Sequence, residues 1–187
     1  MIEDIFNTEW EDINEVISYV ENNNLKYLGQ GWFTKVYQLN DTQVLKINCG
    51  DPDYGFMEYR KYFIKYPSIH SPKCFYYKTI SNPMPHYIML TEKLDVFPEI
   101  LPEPNYLLTL RELIEENLYD NNQDIDELMK IVKSYDDNIQ EQIIGIYNFF
   151  KHFDDKLFNI DLCLFNLMLR GNTWIVNDPL VFINPNY

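Results

Sequence analysis

Apolar residues along the chain follow first the spacing of a helix and then the alternation of strands. Between Trp10 and Val20 they recur every three or four positions, which predicts a helix capped by Asn7 or Thr8 and ended at Asn22–Asn24. Short apolar runs bounded by turn residues predict strands over 26–28, 36–39, 43–47, 74–79 and 87–91. Helical spacing predicts further helices over 55–66, 107–118, 124–135 and 137–154.

The order of these elements predicts an α+β fold with two lobes. Pro67 stops the inserted helix 55–66, and the segment 95–105 holds three prolines, which is typical of a linker. Near the end of the chain, Leu167–Leu169 and Trp174–Val176 flank turn residues and predict a β-hairpin. An antiparallel sheet would therefore precede the linker, and helices and the hairpin would follow it.

Composition narrows the classes of function. The chain has 187 residues, 46% of them hydrophobic, and can bury a sizeable core. A net charge of -14 argues against direct nucleic-acid binding, which needs a basic face, and the acidic run Glu115–Asp126 predicts a solvated helix face. Three cysteines and three histidines without a CxxC pair predict neither disulfides nor a zinc site. We see no signal peptide or membrane-spanning stretch, so we expect a cytoplasmic protein without a membrane partner.

A pair of glycines and a lysine form the first candidate for chemistry. Gly29 and Gly31 lie on a predicted strand–turn–strand, where the absence of Cβ atoms lets backbone N–H groups approach an anion. Lys46 follows ten residues after Val36 inside an apolar strand. If its side chain points inward, it needs an anionic partner; alternation also permits a solvated position. Taken alone, the two glycines are more typical of an ordinary hairpin turn than of an anion site.

Three oxygen-bearing side chains near the end of the chain form the second candidate. Asp161 and Asn166 flank one short loop, and the hairpin would fold Asp178 back beside it. Two of these groups suit a hard cation such as Mg²⁺, and one is left to orient a hydroxyl. The alternative for each residue alone is that it satisfies backbone groups of its own loop.

Together these motifs resemble the protein-kinase-like fold, and most closely the early serine/threonine protein kinases of T7-like bacteriophages. The resemblance covers about residues 25–182. The residues that carry it are Leu28–Phe33, Val44–Ile47, Phe149–Phe150, Asp161–Met168 and Val176–Leu180.

The residue pattern predicts an N-terminal helical segment over 1–24. The resemblance implies an N-lobe over 25–94, a hinge and linker over 95–106 and a reduced C-lobe over 107–187. It implies ATP and Mg²⁺ as cofactors and a host protein as substrate or target, and it leaves the oligomeric state open. In the N-lobe the resemblance implies that Gly29, Gly31 and Val36 cover the nucleotide, that Lys46 pairs with its phosphates and that Glu58 pairs with Lys46. In the C-lobe it implies that Asp161 orients the acceptor hydroxyl. Asn166 and Asp178 would hold magnesium.

The sequence also departs from the family pattern. Phe165 stands before Asn166 where a small residue is common, and Thr34 stands at the third glycine position. Only nine residues follow Asp178, so we expect no activation segment. One alternative is therefore a catalytically inactive kinase-like protein that binds and inhibits a host protein. Another is a small-molecule phosphotransferase, for which we see no substrate pocket in the sequence.

Overall fold

The computed structural model describes residues 2–81, 84–97, 105–120, 125–153 and 157–183. The chain divides into two compact units. Unit 1 comprises Met1–Asp53 and Pro72–Leu94, and unit 2 comprises Tyr54–Ser71 and Asp95–Tyr187. Unit 1 is built around an antiparallel sheet and unit 2 is mainly helical with short strands. The predicted α+β class is therefore confirmed.

Unit 1 begins with two helices and continues with five strands among the described residues. Its elements are α1 (Ile2–Asn7), α2 (Ile13–Asn22), β1 (Lys26–Gln30), β2 (Thr34–Gln38), β3 (Gln43–Asn48), β4 (Cys74–Ser81) and β5 (Pro85–Glu92). The strands are antiparallel and lie in the order β1-β2-β3-β5-β4. All five strands were predicted from the sequence.

One face of this sheet carries the core of unit 1. Leu45 and Ile47 of β3 are buried in one cluster with Val16 and Val20 of α2. Because side chains alternate along a strand, Lys46 points to the opposite face. The alternation of β3 thus separates the hydrophobic core from the face that bears the candidate lysine.

The cap of the first long helix differs from the prediction. Asp12, rather than Asn7 or Thr8, is the N-cap of α2, and its Oδ1 accepts hydrogen bonds from the N–H groups of Asn14 at 2.6 Å and Glu15 at 3.2 Å. The prediction was wrong because residues 2–7 form a separate short helix. An aspartate that accepts from two free N–H groups is a strong helix start.

Unit 2 contains four helices and five short strands among the described residues. They are α3 (Tyr54–Lys65), β6 (Asp95–Val96), α4 (Asn105–Asp120), α5 (Ile125–Val132), α6 (Asp137–Phe150), β7 (Phe158–Ile160), β8 (Leu167–Arg170), β9 (Thr173–Val176) and β10 (Leu180–Phe182). Strand β8 lies between β6 and β9, and β7 pairs with β10. The predicted hairpin is β8–β9, with Gly171 of its turn at φ 61°.

Helix α3 packs within unit 2, although it was predicted as part of the N-lobe. Its aromatic residues Tyr59 and Tyr62 stack on Phe150 of α6, and the Tyr59 hydroxyl donates to the Val176 carbonyl at 2.7 Å. At Gly55 an added Cβ would lie 2.1 Å from the carbonyl oxygen of Leu180, so only glycine permits this approach. Helix α3 belongs to unit 2 because its aromatic face packs against the aromatic residues of α6.

The predicted linker begins with a strand. Asp95 and Val96 form β6 and pair with Leu169 and Met168 of β8. Residues 98–104 lie outside the described residues, and α4 begins at Asn105. The first two residues of the predicted linker over 95–106 thus pair with the free edge of the hairpin, and the extent of the linker stays a prediction.

Candidate functional site

The candidate residues of unit 1 lie side by side across three strands. Val36 of β2 pairs with Gly29 of β1 on one side and with Lys46 of β3 on the other. Lys46 is only 8% exposed. The structure therefore excludes the alternative of a solvated lysine. Lys46 is thus a buried lysine one strand away from Val36, and a buried cation of this kind can pair with an anionic ligand.

The glycine loop, residues 29–34, has room beside its backbone. Its turn is closed by a hydrogen bond from the Gly31 N–H to the Thr34 carbonyl at 3.0 Å. A Cβ atom added to Gly29 or Gly31 would meet no described atom within 4 Å. Trp32 at the tip of the loop is 93% exposed. The glycines thus leave open space in which a ligand can approach the backbone.

In unit 2 the structure brings Asp161 and Asn166 into direct contact. The Asn166 amide Nδ2 donates to the Asp161 carbonyl oxygen at 2.7 Å and to its carboxylate Oδ2 at 3.0 Å. A single 3₁₀ turn over Leu164–Asn166 places the amide, and the Asn166 N–H donates to the Cys163 carbonyl at 3.0 Å. The loop fixes the orientation of the Asp161 carboxylate.

Backbone hydrogen bonds bring the segment around Asp178 to the same loop. The Asp161 N–H donates to the Pro179 carbonyl at 2.6 Å, and the Asn177 N–H donates to the Asn166 carbonyl at 2.8 Å. Asp178 therefore lies between two residues that bond to the Asp161 loop. Burial, and secondarily the Asp178 charge, raises the pKa of the Tyr59 hydroxyl far above its usual range.

The side chains of Asn166 and Asp178 carry oxygen atoms of the kind that magnesium binds. The nitrogen of the Asn166 amide is committed to Asp161, so its carbonyl oxygen is the atom with which it would bind a cation, together with the Asp178 carboxylate. Mg²⁺ prefers such oxygen ligands and keeps several waters. Among the described residues, no group of three His, Cys, Asp or Glu side chains is placed to hold a metal.

Glu58 has a partner on its own helix. Its carboxylate accepts a hydrogen bond from the Lys61 ammonium group, one turn further along α3. Such pairs at the i, i+3 spacing are usual on helix surfaces. The pairing of Glu58 with Lys46 stays a prediction.

Glu115 of α4 was not among the predicted site residues. Its carboxylate is half-buried, accepts a hydrogen bond from the Ile160 N–H and lies near the charge of Asp161. Burial is the largest cause that raises its pKa, and Arg111 partly opposes this effect. The prediction of a solvated face was wrong at this residue. No local sequence pattern indicates this burial, because α4 packs beside β7, which is distant in sequence.

Comparisons with known proteins give only weak similarity. The chain matches no protein-family model and none of the curated proteins. Solved structures that align with it include aminoglycoside phosphotransferase APH(2'')-Ib bound to ADP, at 14% identity over 93% of this chain and 72% of that chain, with a TM-score of 0.37. A ternary complex of APH(2")-IIa with streptomycin and ATP aligns at 16% identity over 92% and 72%, with a TM-score of 0.39.

A third aligned structure is a thermostable mutant of APH(4)-Ia without ligand, at 12% identity over 89% of this chain and 72% of that chain, with a TM-score of 0.39. At these scores the similarity assigns no role to any residue. Among the described residues, no helix has both the length and the apolar character needed to cross a membrane.

Proposed function

We propose that the protein is a protein-kinase-like phosphotransferase that uses ATP and Mg²⁺ and transfers the γ-phosphate to serine or threonine hydroxyls of a host protein. The motif resemblance to phage kinases supports the substrate class. The observation that carries the proposal is the contact between Asn166 and Asp161. This contact holds the Asp161 carboxylate in one orientation, beside the segment that contains Asp178. Transfer of a phosphoryl group needs positioning and charge neutralisation more than covalent chemistry.

Asp161 is the proposed acceptor-orienting group. Its Oδ2 is held by the Asn166 amide, so the rest of the carboxylate is available to accept the proton of a hydroxyl nucleophile. Asn166 and Asp178 would hold Mg²⁺, which supplies neutralisation of phosphate charge when bound. The backbone hydrogen bond from the Asp161 N–H to the Pro179 carbonyl keeps the segment of Asp178 next to the loop of Asp161.

In unit 1 the proposed role of Lys46 is to neutralise phosphate charge. Its burial supports this role, because an ammonium group held in a sheet next to the glycine loop is desolvated and interacts more strongly with an anion than a surface lysine does. Gly29 and Gly31 would let backbone N–H groups approach the same phosphates. In a protein with a net charge of -14, these groups must supply the local positive field.

The test is incubation of purified protein with labelled ATP, Mg²⁺ and bacterial lysate. We expect labelled proteins, with the label on serine or threonine. Asp161→Asn should lower labelling by about 10²–10⁴-fold while the fold is retained. Asp41→Asn, in the exposed β2–β3 turn, is the matched control and should label like wild type.

Equal labelling by wild type and Asp161→Asn would overturn the assignment of Asp161. Stabilisation by Mg²⁺-ATP without any transfer would support the inactive kinase-like alternative. No response to ATP would overturn the proposal entirely, and co-purification of a host protein would then point to a pure binding protein.

A further inference from the structure

The third glycine position of the loop carries a side chain with a buried partner. Thr34 stands there, and its Oγ1 lies 2.9 Å from the Tyr87 hydroxyl of β5. Tyr87 is fully buried, and its hydroxyl donates to the Asp53 carboxylate at 3.4 Å. The residue that replaces glycine is thus bonded to the interior of unit 1.

The neighbouring residue of the loop is held from a second direction. Asn48, at the end of β3, has no solvent exposure, and its Nδ2 donates to the Phe33 carbonyl at 2.8 Å and to the Asp51 carbonyl at 3.1 Å. The Cys49 N–H donates to the same Phe33 carbonyl at 2.8 Å. The Asn48 Oδ1 lies 3.0 Å from Nδ1 of His86, so both ends of the amide are engaged.

These bonds separate a held part of the loop from a free part. Phe33 and Thr34 are tied to buried groups, whereas Trp32 is exposed and Gly31 faces open space. If the loop moved away, the Asn48 amide would lose a partner in the interior, which is costly. Glycine-rich backbone is otherwise conformationally free, so the bonds restrict a segment that would sample many states.

We propose that Thr34, Asn48, Asp53 and Tyr87, here called the loop anchor, are positioning residues that hold the glycine loop in its nucleotide-binding conformation. The inference rests on the proposed function. A loop that is already ordered loses less conformational entropy when a nucleotide binds, so the anchor raises affinity without touching the ligand. The hydroxyl of Thr34 supplies a restraint that a third glycine would lack.

Thr34→Val tests this inference because it removes the hydroxyl and keeps the size of the side chain. We expect the Kd for Mg²⁺-ATP to rise about fivefold by calorimetry, the effect of one lost hydrogen bond. Thr34→Ser keeps the hydroxyl and should stay close to wild type. Thr42→Val removes the hydroxyl that donates to Asn40 in the β2–β3 turn and is the matched control.

Hydrogen exchange of the protein without nucleotide measures the order of the glycine loop directly. The Gly31 and Cys49 amides, which donate to Thr34 and Phe33, should exchange about fivefold faster in Thr34→Val than in wild type. Tyr87→Phe should weaken ATP binding to a similar degree, and the double variant should show little further loss, because both changes break the same bond. Tyr87→Phe alone tests the inference if Thr34→Val does not fold.

In steady-state assays we expect the KM for ATP to rise with kcat nearly unchanged. If wild type binds ATP and both Thr34→Val and Tyr87→Phe bind it with the same affinity, this inference is overturned and the proposed function stands. Additive losses in the double variant would also overturn it. Wild type that does not bind ATP would overturn the proposed function and the inference together.

Discussion

Replacing Gly55 by alanine tests whether the close contact of α3 with β10 organises the candidate site of unit 2. Gly55 lies in the first turn of α3, and an added Cβ would stand 2.1 Å from the Leu180 carbonyl oxygen. This neighbour is backbone, so it cannot rotate away as a side chain can. Leu180 in turn pairs with Ile160 of β7, directly before Asp161.

The cost follows from the distance. Carbon and oxygen normally approach no closer than about 3.3 Å, so the Leu180 carbonyl must move by about 1.2 Å. Overpacking of this kind costs about 1–3 kcal/mol, and a weakened hydrogen bond in the β7–β10 pair adds about 1 kcal/mol. Alanine recovers about 1 kcal/mol of helix propensity. The net expectation is a loss of about 1–3 kcal/mol in the free energy of unfolding.

Urea unfolding followed by tryptophan fluorescence and circular dichroism measures this loss. Phosphotransfer should also fall, because the Pro179 carbonyl that accepts from the Asp161 N–H is next to the displaced residue. Gly29→Ala is the control, since its Cβ would meet open space and should leave stability nearly unchanged. A Gly55→Ala variant as stable as wild type, or more stable, would refute the reasoning, because that is the result for a helix glycine without a close neighbour.

Further predictions concern other contacts of unit 2. Gly145→Ala should destabilise the protein by about 1–3 kcal/mol, because the added Cβ would stand 2.0 Å from Nε2 of His70, whose buried ring is held at the Trp174 carbonyl and cannot easily rotate away. His70→Ala should remove this penalty in a double-mutant cycle. Glu115→Gln should gain stability relative to wild type as the pH rises above 4.5, because a raised pKa makes ionisation of the buried carboxyl unfavourable in the folded state. Asn166→Ala removes two hydrogen bonds to Asp161 and should lower stability by about 1–2 kcal/mol and transfer by at least tenfold.

A separate assay checks each of these three predictions. Thermal unfolding follows the Gly145 and His70 series, and a Gly145→Ala penalty that survives in the double variant would contradict the steric argument. Urea unfolding at several pH values follows Glu115→Gln, and a constant difference from wild type would show that the carboxyl does not titrate abnormally. For Asn166→Ala the control is Asn172→Ala in the exposed hairpin turn, which should behave as wild type in both assays.

The strands of unit 1 could be predicted from the sequence because each is a short apolar run between turn residues. The β3 pattern indicated an apolar strand but left the position of Lys46 open, and the structure buries both faces of the strand. The short strands β6, β7 and β10 could not be predicted, because two or three residues carry no periodicity and their pairing depends on the hairpin. The α1 helix was not predicted as a separate element, because its six residues are too short to show a helical period of their own.

The site was predictable where side-chain chemistry and spacing coincide. Asp161 and Asn166 were named from their separation of five residues, and the structure brings them into contact. Glu115 was not found, because its burial depends on α4 packing beside β7, a contact distant in sequence. The loop anchor was equally hidden, since Asn48 and Tyr87 lie on different strands and only the sheet register brings them to the loop. Long-range contacts of this kind leave no local pattern.

The exposed tryptophan of the glycine loop gives the protein a built-in optical reporter. Of the three tryptophans, Trp32 is 93% exposed, whereas Trp10 is half-buried and Trp174 lies in the core of unit 2. A soluble quencher such as acrylamide will therefore act first on the emission of Trp32. Any molecule that settles on the loop will shield this indole and shift its emission to shorter wavelength. Ligands can thus be screened on the unlabelled chain before their identity is known.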